Sequence, residues 1–225
     1  MDKNLILKQG EKLEDLQYDG LMIIQNDNLY RFTSDAVLLA NYVKCKRGSK
    51  VLELGAGSGV ASILVSAKNG AKVTGLEIQQ CMADMAIRSV DYNGLSECVR
   101  IVCGDIKQAD KLFGTGVFDV VFSNPPYRAK ESGEETKSDV SRIARHEILI
   151  TLSEVVQSAA KVLKFGGKFF VIIQAERACE TMKYMFANGL EPKEVVSVFR
   201  KDDKADTVMI KAVKGGKSGV IFKKI

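Results

Sequence analysis

Lys50-Val51-Leu52-Glu53-Leu54-Gly55-Ala56-Gly57-Ser58-Gly59 runs without a break into Val60-Ala61-Ser62-Ile63-Leu64-Val65. A short apolar run, three glycines at alternate positions and then apolar residues at three- and four-residue spacing predict a strand, a tight turn and a helix. That is the opening unit of an open parallel sheet, with its turn at the carboxyl edge, where backbone N–H groups and a helix N-terminus face a ligand. A dinucleotide fingerprint would carry its third glycine at the position held by Val60, so the spacing here departs from it.

Outward from this unit, short runs rich in β-branched or aromatic residues at 72–76, 99–103, 118–122 and 168–173 join 50–54 as five parallel strands. Amphipathic stretches at 60–68, 79–93 and 148–163 read as crossover helices, stopped by Gly70, Gly94 and Gly166. A further helix at 179–186 precedes an antiparallel pair at 194–199 and 207–213, and a last apolar stretch lies at 219–222. The expected fold is α/β, a doubly wound, mostly parallel sheet of seven strands. Upstream, a hairpin of 20–24 and 28–32 about Asn26-Asp27, then a helix capped by Ser34, forms an extension over 1–47 that packs on a domain spanning 48–225. The polar, aperiodic stretch 128–139 is expected to be a mobile loop.

With 225 residues, 46% hydrophobic and 27% charged, one α/β domain is the expectation, and disorder or a collagen-like repeat is excluded. The net charge of +5 permits a polyanionic partner only if the excess gathers on one face. Candidates for such a face are Lys201, Lys204, Lys211, Lys214, Lys217, Lys223 and Lys224 together with Lys44, Lys46, Arg47 and Arg128. Cys45, Cys81, Cys98, Cys103 and Cys179 are scattered, with no C-x-x-C pair and one histidine in the chain, so reduced, mostly buried thiols and no metal site are expected. No apolar run reaches membrane-spanning length and residues 1–10 do not resemble a signal peptide, which points to a cytoplasmic protein.

Two carboxylates define the ligand expected at the glycine turn. Glu77 closes the second strand, where it can accept hydrogen bonds from both ribose hydroxyls of a nucleoside, with Ile78 beside it. Glu53 would repel a pyrophosphate but could hold an ammonium group, which favours S-adenosylmethionine over a dinucleotide. Gly55, Ala56 and Gly57 form the cradle, and Asp105 with Ile106 could receive the adenine, the alternative for Asp105 being a helix cap.

The fourth strand ends in Ser123-Asn124-Pro125-Pro126-Tyr127. Two prolines terminate a strand, but that explains neither neighbour. Methylating an amide or aromatic amine requires acceptors for its N–H groups, because its lone pair is delocalised. Asn124 and the Pro125 carbonyl suit that task, and Tyr127 can stack on a planar acceptor.

Glu53 to Gly59 and Asn124 to Tyr127 together resemble the class I S-adenosylmethionine methyltransferases that modify amino groups, over residues 50–173. Arg31-Phe32-Thr33-Ser34-Asp35-Ala36-Val37-Leu38-Leu39-Ala40 and Ile143-Ala144-Arg145-His146-Glu147 are similar to the bacterial tRNA1(Val) adenine-N6 methyltransferase family. That resemblance implies methylation of an adenine beside the anticodon of tRNA, with Asn124, Pro125, Pro126 and Tyr127 at the acceptor and Phe32 and Asp35 close to the cofactor. Tyr127, Arg128, Arg145 and His146 are the substrate-contact candidates, and for the last two a polar helix start is an equal alternative. Relatives of this kind are expected to continue past the last strand with a short aromatic and acidic tail, where this sequence ends at Ile225. Release-factor glutamine methyltransferases share the Asn-Pro-Pro-Tyr site but carry a helical N-terminal domain for which 1–49 leaves no room. A methyltransferase-like binding module would be expected to lack Asn124 or the glycine turn, and both are present.

Overall fold

A computed structural model describes residues 7–29, 31–125, 150–199 and 205–225. In chain order its elements are β1 (Glu11–Asp15), β2 (Met22–Asn26), α1 (Ser34–Tyr42), β3 (Lys50–Leu54), α2 (Val60–Asn69), β4 (Lys72–Glu77), α3 (Gln80–Tyr92), β5 (Val99–Cys103) and α4 (Ala109–Phe113). There follow β6 (Phe118–Ser123), α5 (Leu152–Val162), β7 (Leu163–Gln174), α6 (Ala178–Ala187), β8 (Leu190–Phe199), β9 (Ala205–Lys214) and β10 (Ile221–Lys224).

Eight strands form one sheet in the order β10-β8-β9-β7-β6-β3-β4-β5. Five contiguous strands, β7-β6-β3-β4-β5, are parallel, as expected, while β9 runs antiparallel to β7 and to β8. The last apolar stretch adds an eighth strand, β10, parallel to β8, where the sequence predicts seven. Alternation sorts the strand side chains into two cores. Val51, Val73, Val120, Phe122, Phe170 and Ile172 pack on the side of α1 and α2. Leu52, Leu54, Leu76, Val121, Phe169 and Val171 pack on the side of α5.

Helix α2 ends at Gly70 in the left-handed conformation, φ 62°, as expected. Helix α5 starts with a capping box, Thr151 accepting from Glu154 N and Glu154 accepting from Thr151 N. It stops at Val162, well before Gly166, because buried Leu163 already pairs with Phe118 as the first residue of β7. Ser34 opens α1 but does not cap it; Thr33 holds the cap position without a side-chain hydrogen bond. Cys81, Cys98, Cys103 and Cys179 are exposed and only Cys45 is partly buried, contrary to the expectation, because they fall outside the core-facing positions of their segments. Stretch 128–139 lies outside the described residues.

The hairpin differs from the expected one. The chain does turn after Asn26, Leu29 N donating to Asn26 O at 3.0 Å, but β2 pairs with the strand before it, β1, from Glu11↔Asn26 to Asp15↔Met22. Its outer edge is taken by α3. Asn93 accepts from Met22 N at 2.9 Å and donates to Met22 O at 2.7 Å, and Ser89 accepts from Ile24 N at 3.0 Å. Four residues of helix rise about 6 Å and two residues of strand about 6.6 Å, so Ser89 and Asn93 match successive inward positions of β2 and close its edge. At the other end Arg88 makes a two-pronged contact with Glu11, 2.7 and 2.8 Å, and reaches Asp84 at 2.7 Å.

That guanidinium, through its hydrogen bonds, holds the Glu11 carboxyl below its usual range although burial works the other way. The Glu11 side chain is 4% exposed, so Arg88→Ala leaves a nearly enclosed carboxylate and is expected to cost about 2 kcal/mol in chemical denaturation. A depressed folded value gives stability that is present above the unfolded value of 4.5 and is lost as pH falls through the folded one. Arg88→Ala is accordingly expected to flatten the acid limb of the stability curve below pH 4.5.

Candidate functional site

The carboxyl ends of β3, β4, β5 and β6 meet at one edge of the sheet, and the glycine turn lies across it. Gly55, Gly57 and Gly59 have φ of 80°, 55° and 88°, a conformation closed to most side chains. Gly55 N and Ala56 N both donate to Leu76 O, at 2.9 and 3.0 Å, which draws the turn over the end of β4. At Gly59 an added Cβ would stand 3.0 Å from Ala86 Cβ, so this glycine also sets how closely the start of α2 approaches α3.

Glu77, the last residue of β4 and 5% exposed, accepts from Gly57 N at 2.8 Å and from Gln79 N at 2.9 Å. Burial raises its carboxyl above the ordinary range, and the backbone donors at Gln79, Gly57 and Ile78 offset only part of that. Glu53 is 3% exposed on β3, accepts from Ser62 Oγ of α2 at 2.5 Å, and is pushed up by burial to about 8, with the Glu77 charge adding to the shift.

Glu53 lies beside Gly75 in the β3–β4 register. An added Cβ at Gly75 would stand 2.8 Å from Ile101 Cδ1, 2.9 Å from Ala56 Cβ and 3.0 Å from Ser62 Oγ. The bare backbone of Gly75 is what lets Ser62 come down to the carboxyl. Gly75 and Ser62 were absent from the expected site; a glycine inside an otherwise branched strand was the signal of close approach.

Ser123 is a second omission. It is fully buried at the end of β6, pairs with Leu54 and donates from Oγ to Leu54 O at 2.7 Å. This bond ties the end of β6 to the residue before Gly55 and sets Asn124, half-buried, beside the glycine turn, with Pro125 buried behind it. Asp105 adopts the alternative expected of it, capping the short turn Ile106–Gln108 through Lys107 N at 2.9 Å. Ile106 is buried, its Cδ1 3.8 Å from where a Gly55 Cβ would be, while Ile78 is exposed.

Helix α1 packs along α2. Lys68 of α2 donates to Asn41, and Asn69 accepts from Cys45 N at 3.3 Å, so the carboxyl ends of the two helices are neighbours. Asp35 is buried in the first turn of α1. Phe32, on the approach to α1, donates its N–H to Gln25 Oε1 of β2 at 3.1 Å, and Gln25 is 1% exposed. Pro126, Tyr127, Arg128, Arg145 and His146 lie outside the described residues. Among those described, no cluster of three or more metal-ligating side chains occurs and no helix is long and apolar enough to cross a membrane.

The edge thus gathers a backbone cradle, two buried carboxyls and an asparagine, a donor and acceptor set that fits a nucleoside with an attached cationic group. A family model described as the methyltransferase small domain matches residues 31–197. The chain is 25% identical to the tRNA1(Val) (adenine(37)-N6)-methyltransferase of Shewanella halifaxensis, over 78% of this chain and 76% of that one. It is 24% identical to the protein of the same name from a Flavobacteriaceae bacterium, over 83% and 84%. A crystal structure described as a predicted O-methyltransferase from Agrobacterium tumefaciens has a TM-score of 0.69 at 23% identity, over 84% of this chain and 85% of that one. A geranyl diphosphate methyltransferase in complex with its methyl donor has a TM-score of 0.59 at 15% identity, over 80% and 84%. With three quarters of its length matched by one family model and a sheet of the matching topology, the chain belongs to the methyltransferase small domain family, of class I fold and dependent on S-adenosylmethionine.

Proposed function

We propose that this protein methylates the N6 amine of an adenine in the anticodon loop of tRNA. The observation that carries the reading is Asn124, set beside the glycine turn by the Ser123 bond to Leu54 O. The names of the relatives support the choice of acceptor.

S-adenosylmethionine, when bound, supplies a methyl group made electrophilic by the sulfonium. Gly55, Ala56 and Gly57 would hold it along the backbone, Glu77 would accept from its ribose hydroxyls, Glu53 would face its ammonium, and Phe32, Asp35, Ile78, Asp105 and Ile106 would border it. The Asn124 side-chain oxygen and the Pro125 carbonyl would accept from the acceptor amine and draw its lone pair out of conjugation with the ring and onto nitrogen, which loses a proton to water after transfer. Pro126 would hold the turn and Tyr127 would stack on the base, fixing the nitrogen in line, an orientation effect worth several kcal/mol. Arg128, Arg145 and His146 would contact the RNA. A base must leave its stack to reach such a site, which costs least in an unpaired loop.

Asn124→Ala is expected to lower kcat about 100-fold or more, since it removes an acceptor that acts on the reacting group, while S-adenosylhomocysteine affinity changes by a few-fold at most. The measurement is methyl transfer to unmodified tRNA from radiolabelled cofactor, with the product nucleoside identified by mass spectrometry. Undiminished turnover removes Asn124 from the mechanism, and label in protein in place of tRNA moves the acceptor to a glutamine amide.

Glu53 gives a second test. A carboxyl with a pKa of about 8 is mostly protonated at pH 7, and an ammonium seated against it favours the ionised form. S-adenosylhomocysteine binding at pH 7 is expected to release roughly one proton, and its affinity to rise from pH 6 toward 8. Calorimetry in buffers of different ionisation enthalpy reads this release, and Glu53→Gln is expected to abolish it; an unchanged release in that variant assigns the proton elsewhere.

A further inference from the structure

Away from the glycine turn, on the α1 side of the sheet, a cavity of about 250 Å³ opens between the end of α1 and strands β7, β9 and β8. Its floor is aromatic: the Tyr42 ring meets Phe170 edge-on, with centroids 5.4 Å apart. Its rim is cationic, with Lys44 from the end of α1, Lys168 from β7 and Lys211 from β9 around the single acid Glu194. Glu194 is already engaged, by Lys223 at 2.6 Å and Lys211 at 3.7 Å. Burial would raise its carboxyl, but these lysines and the facing Tyr42 hydroxyl hold it below the usual range, so it stays a charged partner for them. Lys44 and Lys168 are exposed and have no ion pair among the described residues. Two uncompensated ammonium groups therefore look into a cavity with an apolar base.

The register relates this cavity to the candidate site. Lys168 lies beside Val120 and Phe170 beside Phe122, on the face of β6 that leads by alternation to Asn124. From Val120 to Asn124 the strand advances about 13 Å, within the span of a few nucleotides. Compact ammonium groups from separate segments suit phosphate oxygens, and ring surfaces beneath them suit a sugar or base.

We infer that this cavity is a phosphate-binding subsite for the RNA strand that continues from the nucleotide held at Asn124. The inference rests on the tRNA reading above and adds to it where the rest of the strand is gripped. The test is equilibrium binding of unmodified bulk tRNA between about 50 and 200 mM salt to the intact chain and to Lys44→Ala/Lys168→Ala. The double variant is expected to bind about tenfold more weakly at the low end, with the slope of log affinity against log salt reduced by about 1.4–1.8, two phosphate contacts' worth. Its melting temperature and S-adenosylhomocysteine affinity should match the parent. Lys111→Ala/Lys183→Ala, which removes equal charge from helices on the opposite face of the sheet, should keep the parent slope.

Equal slopes for parent and Lys44→Ala/Lys168→Ala overturn the subsite and leave the tRNA reading standing, as does equal flattening in the control variant. A parent protein that neither binds nor methylates tRNA overturns both. If the double variant loses saturable binding of inorganic phosphate but keeps tRNA affinity, the cavity takes a small phosphate and the RNA assignment falls.

Discussion

Glu53 puts a carboxyl into the interior of the sheet, and the geometry of the edge is built around making that tolerable. A buried carboxylate without a donor would cost several kcal/mol, so a hydroxyl has to reach it, and Ser62 can do so only over the bare backbone of Gly75. The same close approach seats the start of α2 on the sheet, with Gly59 against Ala86, and so places the glycine turn. A carboxyl whose folded value is raised favours the fold fully below its unfolded value of 4.5 and loses that as pH rises through about 8. Near neutrality and above, the ligand-free site therefore carries a penalty that a cationic partner would relieve.

The second carboxyl solves the same problem differently. Glu77 sits at the strand end, where backbone N–H groups of Gly57 and Gln79 supply its donors. Its hydrogen bond to Gly57 makes it a brace for the turn as well as a candidate ribose acceptor. Ser123 provides the matching brace from the other side, through Leu54 O. Between these two bonds the glycine turn is anchored at both neighbouring strands, a preorganisation that an orienting mechanism requires.

Much of this was legible in the sequence because the central strands are short, bounded by glycines and separated by helices of clear period: β3, β5, α2 and the antiparallel pair β8 and β9 are found where they were expected. The cradle glycines, Glu53, Glu77 and the position of Asn124 follow from strand ends alone. What escaped depends on contacts between distant segments. Asn26-Asp27 does turn, yet the pairing around it escaped because β1 takes one edge of β2 and Ser89 and Asn93, some 70 residues away, take the other. Ser62, Gly75 and Ser123 are ordinary small residues in the sequence and gain their roles only when α2, β4 and β6 are brought against β3. The cysteines misled because their type is buried on average, whereas the four exposed ones lie in the first turns of two helices, a loop and a strand end. Lys44, Lys168 and Lys211 are scattered along the chain and converge only through the β7–β9 pairing and the end of α1.

The matching of α3 to the edge of β2 has a consequence for how the chain is made. A two-stranded hairpin is marginal by itself in water, and the side chains that complete this one are synthesised 65 and 71 residues later. At roughly 5–20 residues per second the ribosome leaves β1 and β2 waiting for roughly 3–14 s, with Ile24, which packs on Met82 and Met85 of α3, still uncovered. Phe32 is hung from Gln25 of the same strand, so the approach to α1 cannot settle until α3 arrives. The hairpin thus precedes its own support in the chain, and a nascent-chain chaperone would find the exposed Ile24 during that interval.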